Sequence, residues 1–143
     1  MAELLKVIGS KKRILVVDDD EKVRLILCTA LERMENGYKI RSASNGKDAL
    51  EVFKQEPFDL VITDVIMPKM NGIELTEAIR NTEAETVVVW ITAYECRYLQ
   101  VERIKFEVFR CMDKPLRIEG IRQVVLEVLE AKLNDERGDK NSA

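Results

Sequence analysis

The stretch ILVVDDDEKVR at residues 14–24 places four apolar residues directly before three consecutive carboxylates. A run of branched apolar residues without polar alternation is typical of a strand that is covered on both faces, as in a parallel sheet. After the acids, apolar residues recur at the spacing of one helix face, at Val23, Ile26, Leu27, Ala30 and Leu31. The stretch therefore predicts a buried strand, an acidic turn and an amphipathic helix.

The same alternation of strand and helix continues along the chain. Four further strands are predicted at residues 39–44, 59–64, 86–93 and 108–113, and the fourth helix, at 96–105, has the weakest pattern. We expect the first helix to end at Gly37 and the polar strand at 39–44 to lie at an edge. Five strands alternating with five helices over short connections imply right-handed crossovers onto one parallel sheet, an α/β fold.

Composition fits one ordinary globular domain: 143 residues, 46% apolar, 34% charged, net charge −3. There is no basic excess for binding nucleic acid, and the longest apolar run, at 87–91, is too short to cross a membrane. We find no signal-peptide pattern and expect a cytoplasmic protein. The expected organisation is an N-terminal extension at 1–11, a domain at 12–133 and a polar, frayed tail at 134–143.

Cysteine and histidine usage excludes several kinds of site. The three cysteines, Cys28, Cys96 and Cys111, are odd in number and widely spaced, which favours reduced thiols over disulfides. No two of them are close in sequence and the chain has no histidine, so a zinc site is not expected. The lack of histidine also excludes Ser-His-Asp and Cys-His catalysis.

Polar side chains stand where the predicted strands end. They are Asp18, Asp19, Asp20, Asp64, Thr92 and Lys114. Parallel strands all point the same way, so their carboxyl ends form one rim, which is where ligands bind in open α/β sheets. The sequence thus predicts a cluster of acids, one hydroxyl and one ammonium at that rim.

This set of groups suits transfer of a phosphoryl group to a carboxylate. Clustered carboxylates favour a hard cation such as Mg²⁺, while Lys114 and Thr92 can bind phosphoryl oxygens. Such transfer depends on positioning and on neutralising the oxygens' charge. Asp64 is the natural acceptor, because it is single and ends a central strand. Taken singly, each residue has a simpler explanation; Asp20 in particular is well placed to cap the following helix.

Four segments, VVDDD, DLVITDVIMPKMNG, WITA and DKP, resemble the receiver domain of two-component response regulators. The resemblance covers residues 12–133, and MPKMNG after Asp64 is its most specific part. It implies a doubly wound, flavodoxin-like five-stranded parallel sheet of order 2-1-3-4-5 with five flanking helices. It also implies that Asp64 accepts a phosphoryl group from a histidine kinase or a phosphotransfer protein.

The resemblance assigns further roles to the rim. Asp19 would bind Mg²⁺ directly and Asp18 mainly through water, with Asp64 and the backbone carbonyl of Ile66 as further ligands. Thr92 and Lys114 would each hold a phosphoryl oxygen, and the bond between Lys114 and Pro115 would be cis. Downstream, the family implies contact with a protein effector through helix 4, strand 5 and helix 5, and homodimers on phosphorylation.

The chain departs from the family pattern at three places. Cys111 stands at the position of the switch aromatic, so we expect readout by backbone shifts in the loop after Thr92 and in helix 4, with Tyr94 or Tyr98 taking part of the aromatic role. Ile66 and Tyr94 flank the phosphate, and since Ile66 cannot orient water we expect slow dephosphorylation. The charged and aromatic segment CRYLQVERIKFE, residues 96–107, is either a specialised partner face or simply a solvated helix.

Two rival functions remain at this point. Asp18 and Asp20 also spell the DxD of haloacid-dehalogenase-type phosphatases, but those enzymes need an acidic pair on a late strand, which is not found after Lys114. A binding module that is never phosphorylated is the other alternative, kept open by Cys111. No effector motif occurs in these residues, so we expect a single-domain regulator or one domain of a longer protein.

Overall fold

A computed structural model of the chain describes residues 11–83 and 85–141, with side chains described as far as residue 130. The strands form one five-stranded sheet in the order β2-β1-β3-β4-β5, and every neighbouring pair is parallel. They are β1 Arg13–Val17, β2 Lys39–Ala43, β3 Leu60–Asp64, β4 Val87–Thr92 and β5 Arg110–Asp113. The predicted α/β fold and strand order are confirmed, and polar β2 lies at an edge.

Five helices connect and follow the strands. They are α1 Glu21–Glu32, α2 Gly46–Gln55, α3 Gly72–Thr82, α4 Gln100–Lys105 and α5 Ile118–Asn141, with a 3₁₀ turn at Cys96–Leu99. Among the residues that the structure describes, no helix is both long and apolar enough to cross a membrane.

The first three helices begin at side chains that cap their free backbone N–H groups. Asp20 accepts a hydrogen bond of 2.9 Å from the N–H of Lys22, as predicted for this acid. Asn45 caps α2 in the same way. At α3, Asn71 and Glu74 form a reciprocal capping box, in which each side chain accepts from the other's backbone. These caps fix where the chain turns from each strand end into a helix.

Alternation along the strands sends side chains into two cores, one on each face of the sheet. In β1, Ile14 and Val16 face one side while Leu15 and Val17 face the other, and all four are fully buried. The first core lies under α2 and α3 and includes Phe53, Leu75, Ile79 and Trp90. The second lies under α1 and α5 and includes Leu27, Leu31, Ile121, Val125 and Leu129. Each of these larger side chains contributes about 1.5–3 kcal/mol by its burial.

Two boundaries differ from those predicted. Helix α1 ends at Glu32, and Gly37 instead occupies the following turn with a φ of 68°, a conformation that suits glycine. Helix α5 runs to Asn141, so the tail predicted to fray from residue 134 is helical as far as that residue. Most of the predicted extension at 1–11, together with residues 142 and 143, lies outside the described residues.

The fourth helix is short and is held by its neighbours rather than by its own burial. None of its residues is buried, and Val101 and Ile104 are 76% and 78% exposed. The chain leaving α4 is fixed by Arg80 of α3, whose guanidinium donates to the carbonyl oxygens of Phe106 at 2.8 Å and Glu107 at 3.1 Å. Helix α4 is therefore the helix least secured by packing.

Gly72 should be intolerant of a side chain, because a Cβ there would overlap the carbonyl oxygen of Asp64 and the backbone of Val65. We expect Gly72→Ala to lower the free energy of unfolding by about 1–3 kcal/mol. Gly120→Ala is the matched control: its Cβ would meet only Met112 Cε, at 3.4 Å, and alanine favours the helix. Urea unfolding of both variants tests this, and equal stabilities would contradict it.

Tyr38 predicts a loss of stability at alkaline pH. Its side chain is buried and its hydroxyl donates to Glu130 at 3.2 Å. Burial, followed by the charge of Glu130, raises the tyrosine pKa from about 10 to about 12. Because the folded-state pKa is the higher one, this stabilisation is complete below pH 10 and is lost as the pH rises through about 12. Urea midpoints over this range should fall more steeply for the wild type than for Tyr38→Phe; parallel curves would refute the assignment.

Candidate functional site

Four strand ends bring the predicted polar residues to one rim of the sheet. Asp18 follows β1, Asp64 ends β3, Thr92 ends β4 and Lys114 follows β5. Carboxylate oxygens of Asp18, Asp19 and Asp64 lie within 4.8 Å of one another. The register of the parallel strands thus produces the predicted cluster from residues that are far apart in sequence.

The Lys114 ammonium joins two of these acids. Its Nζ donates to Asp18 Oδ2 at 2.8 Å and to Asp64 Oδ2 at 2.9 Å, and its side chain is only 20% exposed. The peptide bond from Lys114 to Pro115 is cis, as the resemblance implied. Lys114 therefore links β1 and β3 across the rim, from the far edge strand.

Asp18 is fully buried and both of its carboxylate oxygens are bonded. Besides Lys114 it accepts the backbone N–H of Asp20 on Oδ1 at 2.9 Å. Its carbonyl accepts from Arg24 Nη1 at 2.7 Å, a contact that no sequence motif indicates. Asp19, in contrast, is exposed. Asp19 is thus the acid of this pair with more freedom to bind an ion directly.

The three consecutive acids of the opening stretch therefore separate into different environments. Asp18 points into the rim, Asp19 lies at its surface, and Asp20 turns away to cap α1. Asp20 is absent from the acidic cluster. The DxD arrangement required by the phosphatase alternative is accordingly not assembled here.

The electrostatics of the rim are dominated by burial and by Lys114. Burial raises the pKa of Asp64 above its ordinary value and the nearby Asp18 adds to the rise, while the Lys114 ammonium and the Ile66 N–H oppose it. For Lys114, burial alone would lower the pKa, but its bonds to Asp18 and Asp64 prevail and raise it. The ammonium therefore stays charged between the two acids.

The donor set fits a divalent cation. Three carboxylates and one ammonium give a formal charge of −3 + 1 = −2, which one divalent ion would balance. All the ligand atoms are oxygens, which Mg²⁺ prefers. Asp18, Asp19 and Asp64 are the described side chains that would hold it.

Thr92 connects the rim to the loop that follows β4. Its side chain is fully buried, and its Oγ1 accepts the backbone N–H of Tyr94 at 2.9 Å. Its carbonyl accepts the N–H of Lys114 at 2.8 Å. A change in the position of this threonine would therefore act on the loop through Tyr94 and on Lys114 through the backbone.

Two side chains stand at the open side of the site. Ile66 is 59% exposed and Tyr94 is 52% exposed. The N–H of Ile66 donates to Asp64 Oδ1 at 3.3 Å, which places this residue beside the carboxylate. Tyr94 is in ring contact with Tyr98 of the 3₁₀ turn, with centroids 5.8 Å apart.

The prediction of three reduced thiols is wrong for two of them. Cys96 and Cys111 form a disulfide, with their Cα atoms 5.7 Å apart, and only Cys28 among the three is free. The spacing of the cysteines in the sequence could not reveal this pair. The two residues meet because β5 pairs with β4, which brings Cys111 beside the turn that follows β4. Cys111, at the predicted switch-aromatic position, thus carries a covalent link to the start of the fourth helix region.

Comparisons with known proteins agree with this geometry. A sequence model of the response regulator receiver domain matches residues 14–126. The response regulator PilR of Pseudomonas aeruginosa is 34% identical over 84% of this chain, which covers 26% of PilR. The receiver protein CpdR of Brucella abortus is 32% identical over 77% of this chain and 90% of its own length. The chain spans about a quarter of the first curated relatives, PilR and AtoC.

Solved structures of a chemotaxis protein and of a response regulator have the same fold. Chemotaxis protein CheY4 of Vibrio cholerae superposes with a TM-score of 0.77 at 26% identity, over 84% of this chain and all of CheY4. TrrA of Thermotoga maritima, solved in complex with Mg²⁺ and beryllofluoride, has a TM-score of 0.73 at 32% identity, over 82% of this chain and 99% of TrrA. By its sequence, its strand order and its acidic rim, the chain belongs to the receiver domain family of two-component response regulators.

Proposed function

We propose that Asp64 is the residue that accepts a phosphoryl group. The observation that carries this proposal is Lys114, whose ammonium lies 2.9 Å from Asp64 Oδ2 and 2.8 Å from Asp18 Oδ2. In transfer from a phosphohistidine, an Asp64 oxygen forms a bond to phosphorus while the bond from phosphorus to imidazole nitrogen breaks. Lys114 is placed to neutralise charge on the oxygens of the arriving group.

Magnesium completes the proposed site. Asp18, Asp19 and Asp64 would hold the ion, together with the backbone carbonyl of Ile66. When bound, Mg²⁺ supplies positive charge to the phosphoryl oxygens. Asp19 would be the direct ligand and Asp18 would act through water, because both oxygens of Asp18 are already bonded within the protein.

Thr92 is the proposed sensor of the phosphoryl group. Its buried hydroxyl can donate to a phosphoryl oxygen, and it is already bonded to the N–H of Tyr94. A shift of Thr92 towards Asp64 would break or move that bond. The loop from Tyr94 to α4 would then carry the signal, in place of an aromatic side chain on β5.

The proposed partners follow from membership of the family. The phosphoryl donor is a histidine kinase or a phosphotransfer protein. The downstream partner is a protein effector that binds the face formed by α4, β5 and α5. The same face could also form a homodimer on phosphorylation. Exposed apolar side chains on α4 and beside it, Val101, Ile104 and Phe109, suit a protein contact. We place these events in the cytoplasm and assign the chain a phosphoacceptor role rather than that of a classical enzyme.

Asp64→Asn should abolish phosphorylation, because an amide cannot form the acyl phosphate. We expect the wild type to gain the mass of one phosphoryl group when incubated with acetyl phosphate and Mg²⁺, and the variant to gain none. Asp20→Asn is the matched control, since asparagine caps a helix as well as aspartate does and Asp20 lies outside the cluster. Uptake by Asp64→Asn, or its loss in Asp20→Asn, would count against this site.

Ile66 should slow the hydrolysis of the phosphorylated form, because it has no polar group to orient water. We expect Ile66→Gln to shorten the half-life of phosphorylated protein in Mg²⁺ by about tenfold or more. Ile66→Leu, which stays apolar, should leave it unchanged. Intact-mass measurements over time decide the question: a wild-type half-life of seconds, or equal rates for the two variants, would refute it.

A further inference from the structure

The loop between β4 and α4 is tied to β5 at a single residue by two different bonds. The N–H of Cys96 donates to Asp113 Oδ1 at 2.8 Å, and its side chain is joined to Cys111. Asp113 directly precedes Lys114, so both ties lie close to the proposed phosphoryl site. The loop runs only from Thr92 to Cys96, and the bond closes a separation of 15 residues that includes all of α4.

The two sulfurs differ in their surroundings. Cys96 is half-buried and begins the 3₁₀ turn, between the exposed residues Glu95 and Arg97. Cys111 lies on the edge strand β5, opposite Trp90 in register, and packs against the first core. Cys111 is half-buried as well; we take the Cys96 sulfur as the site of attack because its neighbours in sequence are exposed, whereas Cys111 has the core on one side.

We propose that Cys96 and Cys111 form a reversible redox modification site whose co-substrate is a small-molecule thiol–disulfide couple. The oxidised form holds the loop and the start of α4 against β5, and the reduced form releases them. For its consequence in signalling, this inference rests on the proposed function, because the loop it holds is the one through which Thr92 would act.

The chemistry is ordinary thiol–disulfide exchange. In oxidation, the Cys96 thiolate attacks a small disulfide and releases one small thiol; the Cys111 thiolate then attacks the Cys96 sulfur of the mixed disulfide and releases the second. Two electrons pass from the cysteine pair to the small disulfide, and the two released thiolates take up the two protons that the cysteines lose. Reduction by two small thiols is the same sequence in reverse.

The loop is well suited to respond to such a bond. Glu95, next to Cys96, has a φ of 66°, a conformation that costs energy for a residue with a side chain and persists only where its surroundings hold it. Helix α4 has no buried residue of its own. Breaking the disulfide would leave the Cys96 N–H bond to Asp113 as the tie at this point, so reduction should loosen the loop before the rest of the fold.

Cys28 provides a control within the same chain. It lies on α1, away from the loop, and it is free. Burial, aided by the charge of Glu32, raises the pKa of its thiol, so less of the reactive thiolate is present. Cys28→Ser should therefore leave both the disulfide and its effects unchanged.

The first test equilibrates the full chain with mixtures of glutathione and glutathione disulfide, then labels free thiols and measures intact mass. We expect Cys96 and Cys111 to change together, the oxidised chain being lighter by two hydrogen atoms and taking only the label of Cys28. Cys96→Ser and Cys111→Ser should each prevent that change, whereas Cys28→Ser should not. A pair that stays fully labelled in every mixture, or never reduces in any, overturns the proposal.

The second test measures backbone hydrogen exchange of oxidised and reduced wild type without any phosphoryl ligand. We expect amides from residue 94 to 105 to exchange roughly tenfold or more faster in the reduced form, because the closed 15-residue loop constrains the opened state. Amides of β1 and β3 should not change. Equal exchange at 94–105 in the two forms overturns the proposal, whatever the phosphorylation chemistry.

The third test adds beryllofluoride and Mg²⁺ to both redox forms and follows amide chemical shifts. We expect chemical-shift changes in the 94–105 segment that are large in the reduced form and several-fold smaller in the oxidised form. The Asp64 region should respond in both forms. Identical responses overturn the link to signalling. If neither form binds beryllofluoride, the proposed phosphoacceptor function fails and the link to signalling fails with it, while the first two tests still decide the redox site.

Discussion

The contact of Lys114 with Asp18 and Asp64 is the interaction on which this molecule's chemistry depends. Two buried carboxylates on neighbouring strands would repel each other, and one ammonium at 2.8 and 2.9 Å makes their proximity tolerable. That ammonium comes from the edge of the sheet, so β3, β4 and β5 must all keep their register for it to arrive. The sheet order is therefore a condition of the site, and the two bonds in turn hold the ends of β1, β3 and β5 together.

Strand β1 shows how local sequence prepares this contact. Asp18 is held in place by the N–H of Asp20 and, through its carbonyl, by Arg24. Asp20 caps α1, which turns its charge away from the rim and starts the helix that covers one core. The three consecutive acids therefore have different roles: Asp18 is hydrogen-bonded in the rim, Asp19 is exposed and Asp20 caps the helix. With Asp20 turned away, the charge at the rim is that of Asp18, Asp19, Asp64 and Lys114, which a divalent cation can balance.

Much of this could be predicted from sequence, because the relevant signals are local. Apolar runs ending in Asp64, Thr92 and Lys114 predict strands and their ends, and parallel strands bring those ends to one rim. The predictions that failed concern features that depend on contacts between residues far apart in sequence. The end of α1 at Glu32 and the short α4, fixed by Arg80 of α3, follow from packing. The pairing of Cys96 with Cys111 follows from strand register, which the spacing of cysteines does not contain.

On the proposed function and the proposed redox site, the loop after β4 would receive two inputs, and the free energies of those inputs decide which one prevails. A phosphoryl group acting through Thr92 can shift the loop only by its coupling free energy, typically about 1–3 kcal/mol. A disulfide that closes 15 residues constrains the opened chain by about 3 kcal/mol. The covalent tie is therefore as large as the signal it meets, or larger, and it acts four residues beyond Thr92. On the two proposals made above, the redox state of the Cys96–Cys111 pair would set whether phosphorylation can move α4. The bond at Cys111 would then replace the aromatic rotamer change that the resemblance to the family implies for this position.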